Sequence, residues 1–155
     1  MSSKRSFMHT PRRCCVNADT LVFGPATYKL MAAYWPTAPA DEIADKMNRL
    51  PKIVFSKSLQ RVDWNNSRLI RNDAQEEISR WRQKPGKDIV ILGSAKLASS
   101  LLPLGLIDEY RVILNPILMG GGKPLFTGIP ERIRLQLRAT RVFASGVVLL
   151  SYQKV

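Results

Sequence analysis

The sequence predicts an α/β domain with a mostly parallel sheet and an antiparallel hairpin at its carboxyl end. Three observations predict it. Short apolar runs alternate with stretches of helical periodicity from residue 19 onward. Asp88-Ile89-Val90-Ile91-Leu92 is nearly all apolar, as a central parallel strand covered on both faces must be. The chain closes on two strand-like segments joined by Ala144-Ser145-Gly146, a hairpin turn.

The elements follow in order. Thr20-Leu21-Val22-Phe23 reads as a short buried strand ended by Gly24. Pro25 suits the first turn of a helix, where its missing N–H is no loss, and that helix runs toward Tyr34 and stops before Trp35-Pro36. A second helix covers residues 40–49, with Ile43, Met47 and Leu50 on one face. Lys52-Ile53-Val54-Phe55-Ser56 and the shorter Arg68-Leu69-Ile70 are strands. Asp73 followed by Glu76 resembles a capping box, Ile78 and Trp81 give that helix its apolar stripe, and Pro85-Gly86 stops it. After the strand at residues 88–92, Gly93-Ser94-Ala95 leads into a helix with Leu97, Ala98, Leu101 and Leu102 inward. Residues 109–115 form the next strand, and a Met119-Gly120-Gly121-Gly122 loop follows. Ile133, Leu135 and Leu137 alternate with polar residues as a half-buried strand does, and residues 147–152 form the last one.

The chain has 155 residues, 45% hydrophobic and 23% charged, which excludes a wholly disordered or collagen-like protein. Its 24 Lys and Arg against 12 Asp and Glu leave a net charge of +12. That excess points to an anionic partner: nucleic acid, a membrane surface or a phosphorylated small molecule. Residues 1–18 carry Lys4, Arg5, Arg12 and Arg13 without an acid, and read as a basic arm, expected to be flexible, ahead of one domain at residues 19–155. No run is long and apolar enough for a membrane span and no secretory signal is evident, so a cytoplasmic location is expected. Adjacent Cys14 and Cys15 with a single His9 are too few for a usual zinc site, and no metal is expected.

Ligands of such sheets bind beyond the carboxyl ends of the strands, where helix N-termini favour anions. Three strand ends are equipped for this: Gly24 with Thr27, Gly93-Ser94-Ala95, and Ser56-Lys57. Together they can hold a pyrophosphate and one further phosphate. Each also has a plainer reading. A glycine there can be a backbone requirement alone, and Ser94 can be a helix N-cap. The run Gly120-Gly121-Gly122-Lys123 is not a P-loop, because Ile117 and Pro124 stand where Gly and Ser or Thr are needed. Asp108-Glu109 reads as a loop-to-strand boundary, and Trp64, Trp81 and Tyr110 as core or rim aromatics. Arg132, Arg134 and Arg138 read as the solvated face of a strand. No nucleophile–base set stands out, so no catalytic residue is named.

The ordered series Asp19 to Gly24, Thr27-Tyr28, Tyr34-Trp35-Pro36, Asn48, Pro51-Lys52, Ser56, Gly93-Ser94-Ala95-Lys96-Leu97, Asp108-Glu109-Tyr110, Pro116, Gly120-Gly121-Gly122, Leu125-Phe126 and Ser145-Gly146-Val147-Val148 resembles the dihydrofolate-reductase-like family. The closest branch comprises stand-alone relatives of the C-terminal reductase domain of the bifunctional riboflavin-biosynthesis deaminase–reductase. The resemblance implies a three-layer fold, a homodimer, and NADPH-dependent reduction of a small heterocycle such as a pteridine or a ribosylamino-pyrimidine. It implies that Gly24, Thr27, Gly93, Ser94, Ala95, Lys96 and Leu97 face cofactor phosphates, and that Ser56 and Lys57 lie near the adenosine 2′-phosphate. Trp35, Asn115, Pro116, Gly120 and Gly122 fall on the substrate side. Two departures stand out. Pro25 replaces the Arg of the family's Gly-Arg-x-Thr turn, leaving Lys29 or Lys57 to compensate. Residues 1–18 lack the usual first strand with its Ser-Leu-Asp-Gly-type segment, so the start reads as truncated or replaced. A catalytically inactive remnant of the fold is therefore the second reading. A basic nucleic-acid-binding protein, supported by charge alone, is the third.

Overall fold

The structure is a computed structural model that describes Phe7–Met8 and residues 17–155. The expected basic arm, with Cys14, Cys15 and His9, lies outside the described residues apart from Phe7–Met8 and residues 17–18. The elements run β1 (Phe7–Met8), β2 (Ala18–Phe23), α1 (Pro25–Tyr34), a 3₁₀ turn (Trp35–Thr37), α2 (Glu42–Arg49), β3 (Lys52–Phe55), β4 (Ser67–Ile70), α3 (Ala74–Arg82), β5 (Asp88–Ile91), α4 (Ala95–Leu101), β6 (Tyr110–Leu114), β7 (Leu135–Val142) and β8 (Val148–Lys154).

The strands form two sheets. One is parallel in the order β1-β5-β2-β3-β4, the other antiparallel in the order β6-β8-β7. Parallel neighbours need crossovers, and the helices supply them. The expected hairpin is present: the Phe143 N–H donates to Val147 O and the Gly146 N–H to Phe143 O, with Gly146 at φ +82°. β6 joins this hairpin as a third strand. β7 begins at Leu135 and not Ile133, and a bulge at Arg138 breaks the simple alternation expected there.

Strand alternation sorts the core into two layers around the parallel sheet. Leu21, Phe23, Val54 and Val90 meet Tyr28 of α1 and Met47 of α2. Val22, Phe55, Ile89 and Ile91 meet Ile78 of α3 and Leu101 of α4 on the opposite face. This is a three-layer α/β arrangement. β5 is buried along its whole length, as a strand flanked on both edges and both faces must be. The helices start where their caps dictate. Asp41 Oδ1 accepts from the N–H groups of Ile43 (2.9 Å) and Ala44 (2.7 Å), which moves the start of α2 from residue 40 to Glu42. Asp73 Oδ1 accepts from the Gln75 N–H at 2.7 Å and opens α3.

Lys52 is the one cation buried in this core among the described residues, with 0% exposure. Its Nζ donates to the carbonyls of Asn48 (3.0 Å), Leu50 (2.8 Å) and Asn65 (2.9 Å), so all its donors are used. It also lies 4.4 Å from the centre of the Trp64 ring. Trp64 in turn donates its backbone N–H to the Tyr28 hydroxyl (3.0 Å) and its indole N–H to Asn48 Oδ1 (2.8 Å). One network thus joins α1, α2, β3 and the loop before β4. Burial lowers the Lys52 pKa from 10.5 to about 8, while the three carbonyls and the ring face favour the charged form, so the ammonium persists at neutral pH.

Because the folded pKa lies below the unfolded one, the native chain releases this proton first as pH rises. The associated stability is lost as pH falls through about 8 and is complete above 10.5. Lys52→Met strands three carbonyls and is expected to lose about 1–3 kcal/mol at neutral pH. In urea unfolding series, the wild-type advantage should then widen by about 1.4 kcal/mol per pH unit above pH 8. A gap that does not change with pH would contradict the assignment.

Candidate functional site

The parallel register aligns the carboxyl ends of β5, β2, β3 and β4 along one edge. Val22 pairs with Ile91, so the turns that follow β2 and β5 meet at Gly24 and Gly93. They are interlocked. The Gly24 N–H donates to Ser94 Oγ at 3.0 Å, the Ser94 hydroxyl donates to Leu92 O at 3.2 Å, and the Ser94 N–H donates to Thr27 Oγ1 at 3.0 Å. Gly93 and Ser94 are both left-handed, at φ +58° and +49°. For Ser94 that conformation is strained, and the three hydrogen bonds hold it there. A Cβ on Gly93 would stand 3.0 Å from Thr27 Cγ2, so glycine is required for close approach as well as for φ.

This geometry separates the roles of the predicted residues. Ser94 occupies the N-cap position of α4, yet its hydroxyl does not cap that helix and instead joins the two turns. The Gly24 and Ser94 N–H groups point inward, and Pro25 has none. What remains for an anion is the Thr27 hydroxyl proton and the first-turn N–H groups of Ala95, Lys96 and Leu97, which have no intrahelical acceptor. The small side chains of Gly24, Gly93, Ser94 and Ala95 leave the backbone approachable.

The next strand ends continue the edge. Ser56 is buried, and its Oγ accepts from the N–H groups of Ser58 (3.2 Å) and Leu59 (3.1 Å), folding the loop after β3 back on itself. Lys57 is exposed at this turn. Arg71, which the sequence reading did not single out, belongs here too. Phe55 pairs with Ile70, so Arg71 follows β4 beside Ser56, and its guanidinium donates to Lys57 O (3.1 Å) and Leu59 O (2.7 Å). The signal available in the sequence was a cation within two residues of each of two neighbouring strand ends.

The substrate-side residues divide. Trp35 is half-buried against the α1–α2 layer, with its carbonyl accepting from Asn48 Nδ2 at 3.0 Å and Tyr34 edge-on to its ring at 5.0 Å. Asn115, Pro116, Gly120 and Gly122 are exposed and follow β6, in the antiparallel sheet. The hairpin turn packs there, where a Cβ on Gly146 would come 3.5 Å from Pro116 Cγ. No hydrogen bond among the described residues links this group to the interlocked turns. Asp108 pairs with Arg82 and Glu109 with Arg111, as a structural boundary would. Trp64 and Tyr110 are buried and Trp81 is half-buried. Among the described residues, no cluster of metal ligands is present and no helix is long and apolar enough to cross a membrane.

Residues 3–149 match the RibD C-terminal domain family. The uncharacterized protein YyaP of Bacillus subtilis (strain 168) is 35% identical over 138 residues, covering 86% of this chain and 73% of that protein. A candidate riboflavin biosynthesis protein from Shewanella sp. PV-4 superposes with a TM-score of 0.71 at 21% identity, covering 88% of this chain and 74% of the other. Dihydrofolate reductase from Enterococcus faecalis, complexed with NADP(H), gives a TM-score of 0.58 at 19% identity over 87% of this chain and 73% of the enzyme. These likenesses establish a dihydrofolate-reductase-like α/β fold. The turns, the two sheets and the family match over most of the chain agree, and the protein belongs to the RibD C-terminal domain family.

Proposed function

We propose that this protein is an NADPH-dependent reductase of a small heterocyclic substrate, of the pyrimidine or pteridine kind. The family and fold indicate a reductase-like role. The observation that carries the cofactor reading is the pair of interlocked turns at the carboxyl ends of β2 and β5, next to the Ser56-Lys57 strand end. The residues present fit a dinucleotide. Small side chains let a pyrophosphate reach the backbone, the first-turn N–H groups of Ala95, Lys96 and Leu97 and the Thr27 hydroxyl supply donors, and Lys57 supplies charge. NADPH, when bound, supplies the hydride. The chain's own residues bind, orient and shield. Trp35, with Asn115, Pro116, Gly120 and Gly122, would complete the substrate side.

The dimer is also a proposal. Around the end of β6 and the following loop, Leu114, Ile117, Leu118 and Met119 are 59–103% exposed, and Val142 of β7 is 68% exposed. An apolar group of this kind suits contact with a second copy.

Four experiments test these readings. Calorimetry should detect NADPH binding to the folded chain, and no binding at millimolar cofactor would overturn the cofactor assignment. Substrate-dependent NADPH oxidation then separates a working reductase from a domain that binds without reducing. Gly93→Ala, which forces both the 3.0 Å contact and a left-handed alanine, should destabilise the fold by about 1–3 kcal/mol and weaken NADPH roughly tenfold or more. Light scattering should give twice the 17.5 kDa chain mass, and Leu118→Asp should shift it toward the monomer.

A further inference from the structure

We propose that the cleft at the amino ends of β2 and β5 is a second anion site, which takes a small organic phosphate at the end of the sheet away from the cofactor edge. The inference does not depend on the cofactor reading above.

The cleft has a volume of about 490 Å³, within the range of small-molecule sites. Its cations come from two separate places in the chain. Lys46 and Arg49 stand three residues apart in the last turn of α2 and so share a face of that helix. Lys87 comes from the loop before β5. Ala18 and Leu50 supply an apolar wall. Asp19 is the acid among the described residues of the lining, and its carboxylate is engaged in holding the backbone. Its Oδ2 accepts from the Lys87 N–H at 2.9 Å and its Oδ1 from the Thr20 hydroxyl at 2.9 Å. The first of these bonds fixes Lys87 against β2, so that wall is already ordered before a ligand arrives.

The positive charge here exceeds what the fold requires. Cations in the last turn of a helix ordinarily answer its unpaired carbonyls. In α2 those carbonyls are met by other donors: Lys52 Nζ takes Asn48 O at 3.0 Å and Leu50 O at 2.8 Å, and Asn66 Nδ2 takes Arg49 O at 2.8 Å. Among the described residues neither Arg49 nor Lys87 has an ion pair. Lys46 has Glu42 at 3.6 Å, but that carboxylate is 86% exposed and screened by solvent. The buried Lys52 ammonium adds a fourth positive charge behind Leu50. A cleft with low-dielectric walls focuses such a field. A phosphate monoester carries close to two negative charges and three acceptor oxygens, which match an arginine fork flanked by two lysines. The phosphate fills only part of the volume, and Ala18 with Leu50 suits an organic remainder.

The parallel sheet sets this cleft opposite the interlocked turns. Along β2, Asp19 and Gly24 are separated by roughly 16 Å at about 3.3 Å per residue. Both places can therefore be filled at once.

The test is calorimetry of inorganic phosphate and of phenyl phosphate at fixed ionic strength in chloride buffer. It is run on the wild-type chain, Arg49→Gln, Lys87→Gln and Arg68→Gln, each also with millimolar NADPH, and thermal unfolding checks each variant. Phosphate should bind at one site with about millimolar affinity, and phenyl phosphate about threefold tighter or more. Arg49→Gln and Lys87→Gln should each weaken both ligands about tenfold or more. Arg68→Gln removes the same charge from an exposed position on β4 and should leave both within about twofold, as should NADPH. Absence of saturable binding overturns the proposal. So does an equal loss in Arg68→Gln, or no loss in Arg49→Gln and Lys87→Gln. Displacement by NADPH places the anion at the cofactor edge and overturns it too. Phenyl phosphate binding no tighter than phosphate overturns the organic class of ligand. A chain that binds no NADPH loses the cofactor reading, and the three substitutions still decide this one. Should Lys87→Gln unfold, Arg49→Gln decides.

Discussion

The arrangement of the site depends on the register between β2 and β5. Ala18 pairs with Asp88 and Thr20 with Ile89, so Asp19 is an extra residue in the ladder. Its carboxylate secures the bulge, Oδ2 accepting from the Lys87 N–H at 2.9 Å and Oδ1 from the Thr20 hydroxyl at 2.9 Å. Because strand side chains alternate with a period of two, this one-residue offset decides which face each later residue takes. It puts Val22 on the α3–α4 side, Leu21 and Phe23 on the α1–α2 side, and Gly24 level with Gly93. Without it the two turns would not meet, and the hydrogen bonds through Ser94 could not form.

The interlock changes the chemistry of the glycine turns. Two N–H groups that a strand–glycine–helix pattern would offer to a phosphate are consumed in joining the turns. The turns therefore act first as a rigid platform and second as a source of donors, with anion contacts shifted to the first turn of α4 and the Thr27 hydroxyl. A second layer of rigidity comes from the Lys52 ammonium, which binds the end of α2 to the loop before β4 and so holds Tyr28 and Trp64 under α1. A buried charge is a poor source of net stability, but three directed carbonyls give it a defined geometry. Positioning is the better account of its place here.

The net charge of +12 is distributed in keeping with this picture. Several cations are structural: Lys52 in the core, Arg82 on Asp108, Arg111 on Glu109 and Arg138 on Gln153. Lys57 and Arg71 stand uncompensated by any described acid at the edge where β3 and β4 end. Many of the exposed apolar residues lie elsewhere, on the antiparallel sheet and the loop after β6, while Leu30 and Tyr34 of α1 and Leu104 after α4 are exposed as well.

Much of the fold was legible from local signals. Apolar runs marked β2, β3 and β5, Asp73 marked the start of α3, and Gly146 marked the hairpin, since each depends on residues a few positions apart. The glycine turns, Ser56 and Lys57 were legible for the same reason. The partner of each turn was not, because hydrogen bonds such as Gly24 to Ser94 span 70 residues and follow from strand order and register. Arg71 escaped notice because a cation after a short strand has no local meaning until a parallel ladder sets it beside Ser56. Nothing local marks Lys52 as more than the first residue of a strand, and only the folded structure shows it buried in a cage of carbonyls. By itself the sequence determined the fold class, the element order and the residue types at the strand ends. The tertiary structure decided which of those residues touch, because side-chain and backbone donors far apart in the chain are matched only when the sheet closes.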